Sequence, residues 1–247
     1  MARLRLLAAA VAAGNSIGEL ARLDDDAIER LLAPEPAALP GARLDAPLAA
    51  AERLDLAALE RELGIELAAL GPAVFARDVA APLLREIGDR WEHGTVSVAS
   101  EHLTSAVVRS LLGGVLRLAP RAADAQRLVF ATPEGERHEL GALIAAVTAV
   151  GAGANATYLG PDLPVEDVAE AAAKIEPSAI ALGVASLAPG PLRRYLVELR
   201  RRVPRAVPIW IGGAAAGAEV AGVEHVDELA MLERRVSLLC RRPHVAS

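Results

Sequence analysis

From about residue 121 onward, short apolar runs of strand length alternate with longer stretches of helical periodicity. The runs lie at 127–132, 156–159, 179–185 and 208–211, with a weaker one at 224–226. The helical stretches between and after them fall at about 139–150, 165–175, 191–203, 214–221 and 229–241. Apolar strands separated by amphipathic helices predict a flavodoxin-like, doubly wound parallel sheet with both faces covered. Ligands in that architecture sit outside the carboxyl ends of the strands. The loops that matter are therefore 132–138, 159–164, 185–191 and 211–215.

The preceding part reads as helical throughout. Leu54, Leu56, Leu59, Leu63 and Leu67 begin it, Pro72 and Pro82 punctuate it, and 83–91 continue it. Gly94-Thr95 breaks the chain, and Thr95 or Ser97 can cap the helix that carries Glu101, His102, Val107, Val108, Leu111 and Leu112. Four helices with short connections predict a four-helix bundle over 48–120, followed by the sheet domain over 121–247. Ahead of them, 34–47 holds four prolines and a glycine and reads as a linker. Residues 1–33 are helical in pattern and too few to hold a core of their own. Residues 1–15 share the ingredients of a secretory leader, two arginines and an alanine-rich run. The helical pattern continues through Ala21, which favours a helix, a cytoplasmic chain and no membrane span.

Composition narrows the function classes. Hydrophobic residues make up 53% of the 247, and charged residues 23%, which excludes a largely disordered chain. The single Cys240 excludes a disulfide framework and any cysteine-rich zinc site. A formal net charge of −6 does not suit a nucleic-acid backbone. Gly151-Ala152-Gly153 follows a helix and not a strand, so no phosphate-cradling fingerprint is present.

Two groups of residues could carry chemistry. After the first strand, Glu136-x-His138-x-x-Gly141 places a histidine in the switch-point crevice, beside a carboxylate that can take one ring N–H. Gly141 leaves room for a large ligand, and Gly212-Gly213 after the fourth strand does the same. The bland alternatives are an exposed loop histidine and an ordinary strand-to-helix turn. In the bundle, nine residues separate Trp91 from Glu101-His102. An indole, a carboxylate and an imidazole buried together would line an amphipathic pocket. A core tryptophan beside a solvated Glu-His pair fits the same residues. Cys240, His225 and His244 read as packing or surface residues.

Taken together, Trp-x9-Glu-His in a bundle and Glu-x-His-x-x-Gly in a flavodoxin-like domain resemble the CarH/LitR-type cobalamin photoreceptors of the MerR class. The resemblance spans about 48–241, and 2–23 resemble the last helices of a MerR-type winged-helix domain, the part holding the helix-turn-helix being absent. It implies a regulator that is not an enzyme, with adenosylcobalamin (cobalt) as cofactor. His138 would be the lower axial cobalt ligand and Glu136 its orienting partner. Gly141, Gly212 and Gly213 would make room for the nucleotide tail, with Ser186 and Leu187 beside it. Trp91, Val98, Glu101 and His102 would cover the upper face and the adenosyl group. Light would break the cobalt–carbon bond and change assembly state, so a homo-oligomer is implied. DNA would be a partner only with an upstream helix-turn-helix, and otherwise a partner regulator protein. Two local departures stand out. Ala185 occupies the family's usual serine position. Trp91-Glu92-His93 puts the histidine one residue late, about 100° around a helix, so a second axial histidine is not expected unless the bundle shifts. A corrinoid methyl-carrier protein and a cofactor-free relative are the alternatives.

Overall fold

A computed structural model of the chain describes residues 43–217 and 219–240. The expected winged-helix remnant at 1–33, most of the 34–47 linker and His244 lie outside the described residues. The first helix, α1 (Asp45–Glu52), starts inside the stretch read as linker. α2 (Leu56–Leu70) follows, capped by Asp55, whose Oδ1 accepts from the Ala58 N–H at 3.0 Å. Next, α3 (Pro72–Phe75), a π-helical turn (Ala76–Ala80) and α4 (Ala81–Glu92) run on without a break. Pro82 therefore does not end its helix as the pattern suggested. The wider π turn directly before it relieves the missing N–H and the ring's clash with the preceding turn. α5 (Val98–Leu118) is capped by Ser97, whose hydroxyl accepts from the Ser100 N–H at 3.1 Å.

The sheet domain follows as β1 (Arg127–Pro133), α6 (Leu140–Gly151), β2 (Asn155–Leu163), α7 (Val165–Ile175), β3 (Ala179–Gly183), α8 (Pro189–Arg202), β4 (Ile209–Gly212), β5 (Val223–His225) and α9 (Leu229–Cys240). All pairings are parallel, in the order β2-β1-β3-β4-β5. The order reverses between β1 and β3, so the ligand crevice of this architecture lies between the loops that leave those two strands. The helix expected at 214–221 does not form. Its backbone instead closes back on the sheet, with the Ala215 N–H donating to the Val184 carbonyl at 3.1 Å.

Strand side chains alternate between two cores. Leu128 and Phe130 of β1 face one layer with Trp210, Leu232 and Val236. Val129 and Ala131 face the other with Val168, Leu192 and Leu196. One helix is shared between the sheet and the bundle. α6 carries no charged residue, and seven of its twelve are buried, as expected of a helix enclosed on all sides. Ala146 and Ala149 pack on the sheet, while Leu143, Ile144 and Val147 enter the bundle core beside Leu59, Phe75 and Leu112.

The tightest point of that junction is Gly151. A Cβ there would stand 2.3 Å from the Ala73 Cβ of α3. Gly151→Ala should therefore push the bundle from α6 and destabilise the chain by about 1–3 kcal/mol, read as a lower urea midpoint. An unchanged midpoint would show that the junction is loose.

Candidate functional site

The centre of the site is a carboxylate with no access to solvent. Glu136 lies in the loop after β1, and its side chain is 0% exposed. Gly135 before it has φ +87°, a left-handed conformation that lets the loop turn down into the crevice. The loop after β3 meets it with three consecutive backbone donors. The N–H groups of Ala185, Ser186 and Leu187 reach Glu136 Oε2 at 2.8, 2.6 and 3.0 Å. The Ser186 hydroxyl donates to the same carboxylate at 3.2–3.3 Å. From its own loop, Glu136 Oε1 accepts the His138 backbone N–H at 2.9 Å and stands 2.7 Å from His138 Nδ1. Burial by itself would push this carboxyl up. The N–H donors of Ser186, His138 and Ala185, with the His138 ring, outweigh burial and hold the pKa at about 2, against 4.5 for an unperturbed glutamate.

The ionised carboxylate fixes the histidine. Because Glu136 can only accept, Nδ1 carries a ring proton, and in the neutral ring Nε2 is the nitrogen with the lone pair. The imidazole is 67% exposed, and Nε2 has no partner among the described residues. It is an aimed, basic nitrogen at the switch point. Among the described residues no three His, Cys, Asp or Glu side chains come together as a metal cage. A lone imidazole cannot hold a bare ion, which needs three or four protein ligands. It can give one axial ligand to a metal that arrives in its own macrocycle. Space agrees with a bulky partner, since a Cβ on Gly141 would meet nothing within 4 Å.

The glycine pair after β4 has a different reason from the expected one. A Cβ on Gly212 would stand 2.5 Å from the Val226 carbonyl oxygen, and one on Gly213 (φ +112°) 2.4 Å from that of Val184. Backbone, and not empty space, occupies those positions. Ser186 and Leu187 also serve first as donors to Glu136.

Trp91 lies near the end of α4, and Val98, Glu101 and His102 lie in the first turns of α5. Trp91 is 46% exposed and Val98 51%, so Trp91 is not a core residue. Glu101 binds its neighbours, accepting the Ser105 hydroxyl at 2.7 Å and pairing with His102 Nδ1. Among the described residues no hydrogen bond or ion pair joins Trp91 to this pair. His93 is tied down, its Nδ1 donating to the Asp89 carbonyl at 2.7 Å. The middle of α5 is pinned beside the histidine loop, since Arg109 Nε meets Glu139 Oε1 at 2.5 Å. Glu101 lies about 12 Å further along the axis, on the side of the strands' carboxyl ends. Sequence reasoning missed Arg109, Glu139, Thr132 and Asp162. Thr132 and Asp162 brace the loop: the Asp162 N–H donates to the Thr132 hydroxyl at 2.9 Å, and Asp162 Oδ1 accepts the Gly135 N–H at 2.6 Å. Asp162, near the end of β2, falls in the stretch 159–164 marked from the sequence and could have been found as its one carboxylate.

Similarity to known proteins bears on this geometry. Residues 44–114 and 126–231 each match a B12 binding domain family. The chain is 38% identical over 180 residues to the HTH-type transcriptional repressor CarH of Myxococcus xanthus, covering 72% of this chain and 60% of that protein. Both matched parts of the chain are thus B12 binding domains, in a chain similar to the CarH repressor. It is 32% identical over 174 residues to the HTH-type transcriptional repressor CarA of the same organism, covering 66% of this chain and 57% of CarA. The chain thus spans about 60% of the length of these curated relatives. The Methanosarcina barkeri monomethylamine corrinoid protein shares the fold, with a TM-score of 0.59 at 18% identity, covering 81% of this chain and all of that one. No helix among the described residues is long and apolar enough to cross a membrane.

Removing the carboxylate has a measurable consequence. Glu136→Gln would turn an amide donor toward converging N–H groups and should cost about 2–4 kcal/mol. The pKa of Glu136 is lower folded than unfolded. Its contribution, about 3 kcal/mol, is therefore present above about pH 5 and lost as pH falls toward 2. The wild-type urea midpoint should drop across that window more steeply than that of Glu136→Gln. Parallel pH curves would refute the buried, ionised carboxylate.

Proposed function

We propose that this chain is an adenosylcobalamin-binding, light-sensing transcriptional regulator, or the sensory part of one. One observation carries the reading: the exposed His138 imidazole, aimed by a buried Glu136 at the switch point of a B12 binding domain, with Nε2 free. In this reading His138 gives the lower axial nitrogen to cobalt, and Glu136 keeps the ring in the tautomer that can do so. The open side of Gly141 would admit the displaced nucleotide tail, beside Ser186 and Leu187. The 48–120 bundle covers the upper face from above the 121–247 domain. Trp91 and Val98 offer apolar surface, and Glu101 and His102 offer hydrogen bonds, to an adenosyl group that has both a ring and hydroxyls. The bound group would supply a cobalt–carbon bond that visible light breaks.

The signal is a change of assembly among copies of the chain in the cytoplasm, not catalysis. It reaches DNA through a helix-turn-helix in the same polypeptide or through a partner regulator. Similarity to two HTH-type transcriptional repressors supports a regulatory role. His93 is held through Nδ1 by the Asp89 carbonyl, so it would take the upper position only if the end of α4 moved and brought its Nε2 over.

Two measurements test the reading. After reconstitution with adenosylcobalamin, the absorption spectrum should show a histidine-ligated lower face, and green light should convert it irreversibly. His138→Ala should move the dark spectrum to a water-ligated or base-on form and weaken binding by about tenfold or more. A spectrum that His138→Ala leaves unchanged removes the axial assignment. Trp91→Ala, at a half-exposed position, should lose several-fold or more in affinity for adenosylcobalamin and little for methylcobalamin. Equal losses for both forms would favour a corrinoid methyl carrier.

A further inference from the structure

A second cavity, of about 550 Å³, opens between α5, the start of α6 and the outer edge of the sheet. Arg109, Arg117 and Arg121 line it on the helix side, and Ala156, Thr157 and Tyr158 on the β2 side. None of the residues proposed above to contact cobalamin lines it. Its volume is that of a small-molecule site.

Its charge is unusual for this chain. Three arginines line it against one carboxylate, Glu139, while the chain as a whole carries −6. That carboxylate is already engaged by Arg109 Nε at 2.5 Å and by the Tyr158 hydroxyl at 2.6 Å. Arg117 and Arg121 are exposed and make no ion pair or hydrogen bond among the described residues. The Arg117 guanidinium lies back along its own helix. Cβ atoms built on Gly113 and Gly114 would meet nothing within 4 Å except its terminal nitrogens, at 3.6 and 3.9 Å. The floor under those nitrogens is thus bare backbone.

The far wall adds donors of another kind. β2 pairs only with β1, so its outer edge is unpaired. Three successive β2 residues line the cavity. Successive side chains point to opposite faces of a sheet, so a cavity touching all three reaches the open strand edge, which carries backbone N–H groups along with carbonyls. Leu116 and Ala106 supply apolar surface beside these groups.

We propose that this cleft binds a small phosphorylated molecule with an apolar or aromatic body. Two unspent guanidinium forks, backed by Arg109, match the several oxygens and the double charge of a phosphate monoester. A single carboxylate would leave one fork without a partner. Leu116 and Ala106 take the body of the ligand. The site is independent of the cobalamin reading, since it uses other residues and requires no cobalt.

The test uses the full chain without added cobalamin and three probes: phenyl phosphate, inorganic phosphate and benzoate. Isothermal titration calorimetry should show saturable binding of phenyl phosphate in the sub-millimolar to low-millimolar range, with inorganic phosphate and benzoate each about tenfold weaker or worse. The double variant Arg117→Gln/Arg121→Gln, at exposed positions, should keep the wild-type urea midpoint and lose about tenfold or more in phenyl phosphate affinity. Arg193→Gln/Arg194→Gln, which removes the same charge from α8, should bind as the wild type does. Absence of saturable binding, binding that survives the α5 double variant, or an equal loss in the α8 variant would each overturn the proposal. Benzoate binding as tightly as phenyl phosphate would overturn the phosphate assignment.

Discussion

The site depends on one buried negative charge. An ionised carboxylate without water is costly unless hydrogen bonds replace its hydration. Here the replacement comes from two loops that are distant in sequence. Donors at 185–187 follow β3, and the donor at His138 follows β1. Because β1 and β3 are neighbours and parallel, both loops leave the same edge and can converge on one side chain. Glu136 thus closes the switch-point crevice at its base. It also orients the one group left facing outward, the His138 ring. Without the charge the loops lose their common partner, and the ring loses its fixed tautomer.

The bundle is held to that crevice at two levels. At the polar level, Glu139 receives Arg109 from α5 and Tyr158 from β2. The Tyr158 phenol is pushed well above its usual range, first by burial and then by the neighbouring Glu139 charge, which keeps it a donor. At the apolar level, Leu143, Ile144 and Val147 of α6 sit in the bundle core. The helix that begins just after His138 is therefore shared by both halves. A rigid shift of the bundle would have to break the Arg109–Glu139 pair and uncover those three side chains.

The architecture was legible wherever chemistry differs along the chain. The alternation of Leu128 and Phe130 with Val129 and Ala131 shows as two cores. The pattern Glu-x-His is realised as a direct hydrogen bond at 2.7 Å. Legibility failed where residues are chemically quiet. The 214–221 stretch is rich in alanine, which favours a helix but does not require one. Gly213 at φ +112° and the bond from Ala215 to Val184 turn it into a closing loop. Gly212 and Gly213 have a structural reason that the sequence does not show. A missing side chain admits a ligand or a neighbouring backbone alike, and Val184 and Val226 take the space. Trp91 was open between core and surface because helical spacing does not say which face lacks a neighbour. Its half-exposure decides that point.

The proposed site asks for few polar groups. A protein-built metal cage must bring three or four ligands together and satisfy each from behind. No such cage occurs among the described residues. A metal that carries its own equatorial ligands asks the protein for one well-aimed nitrogen and a large smooth crevice. The nitrogen costs one buried carboxylate and a loop of matching N–H groups. The crevice costs small residues and a covering bundle, which alanine, leucine and glycine provide. In the proposed reading, the hydrogen-bond cluster centred on Glu136 is the one polar feature that such a division of labour between protein and macrocycle requires.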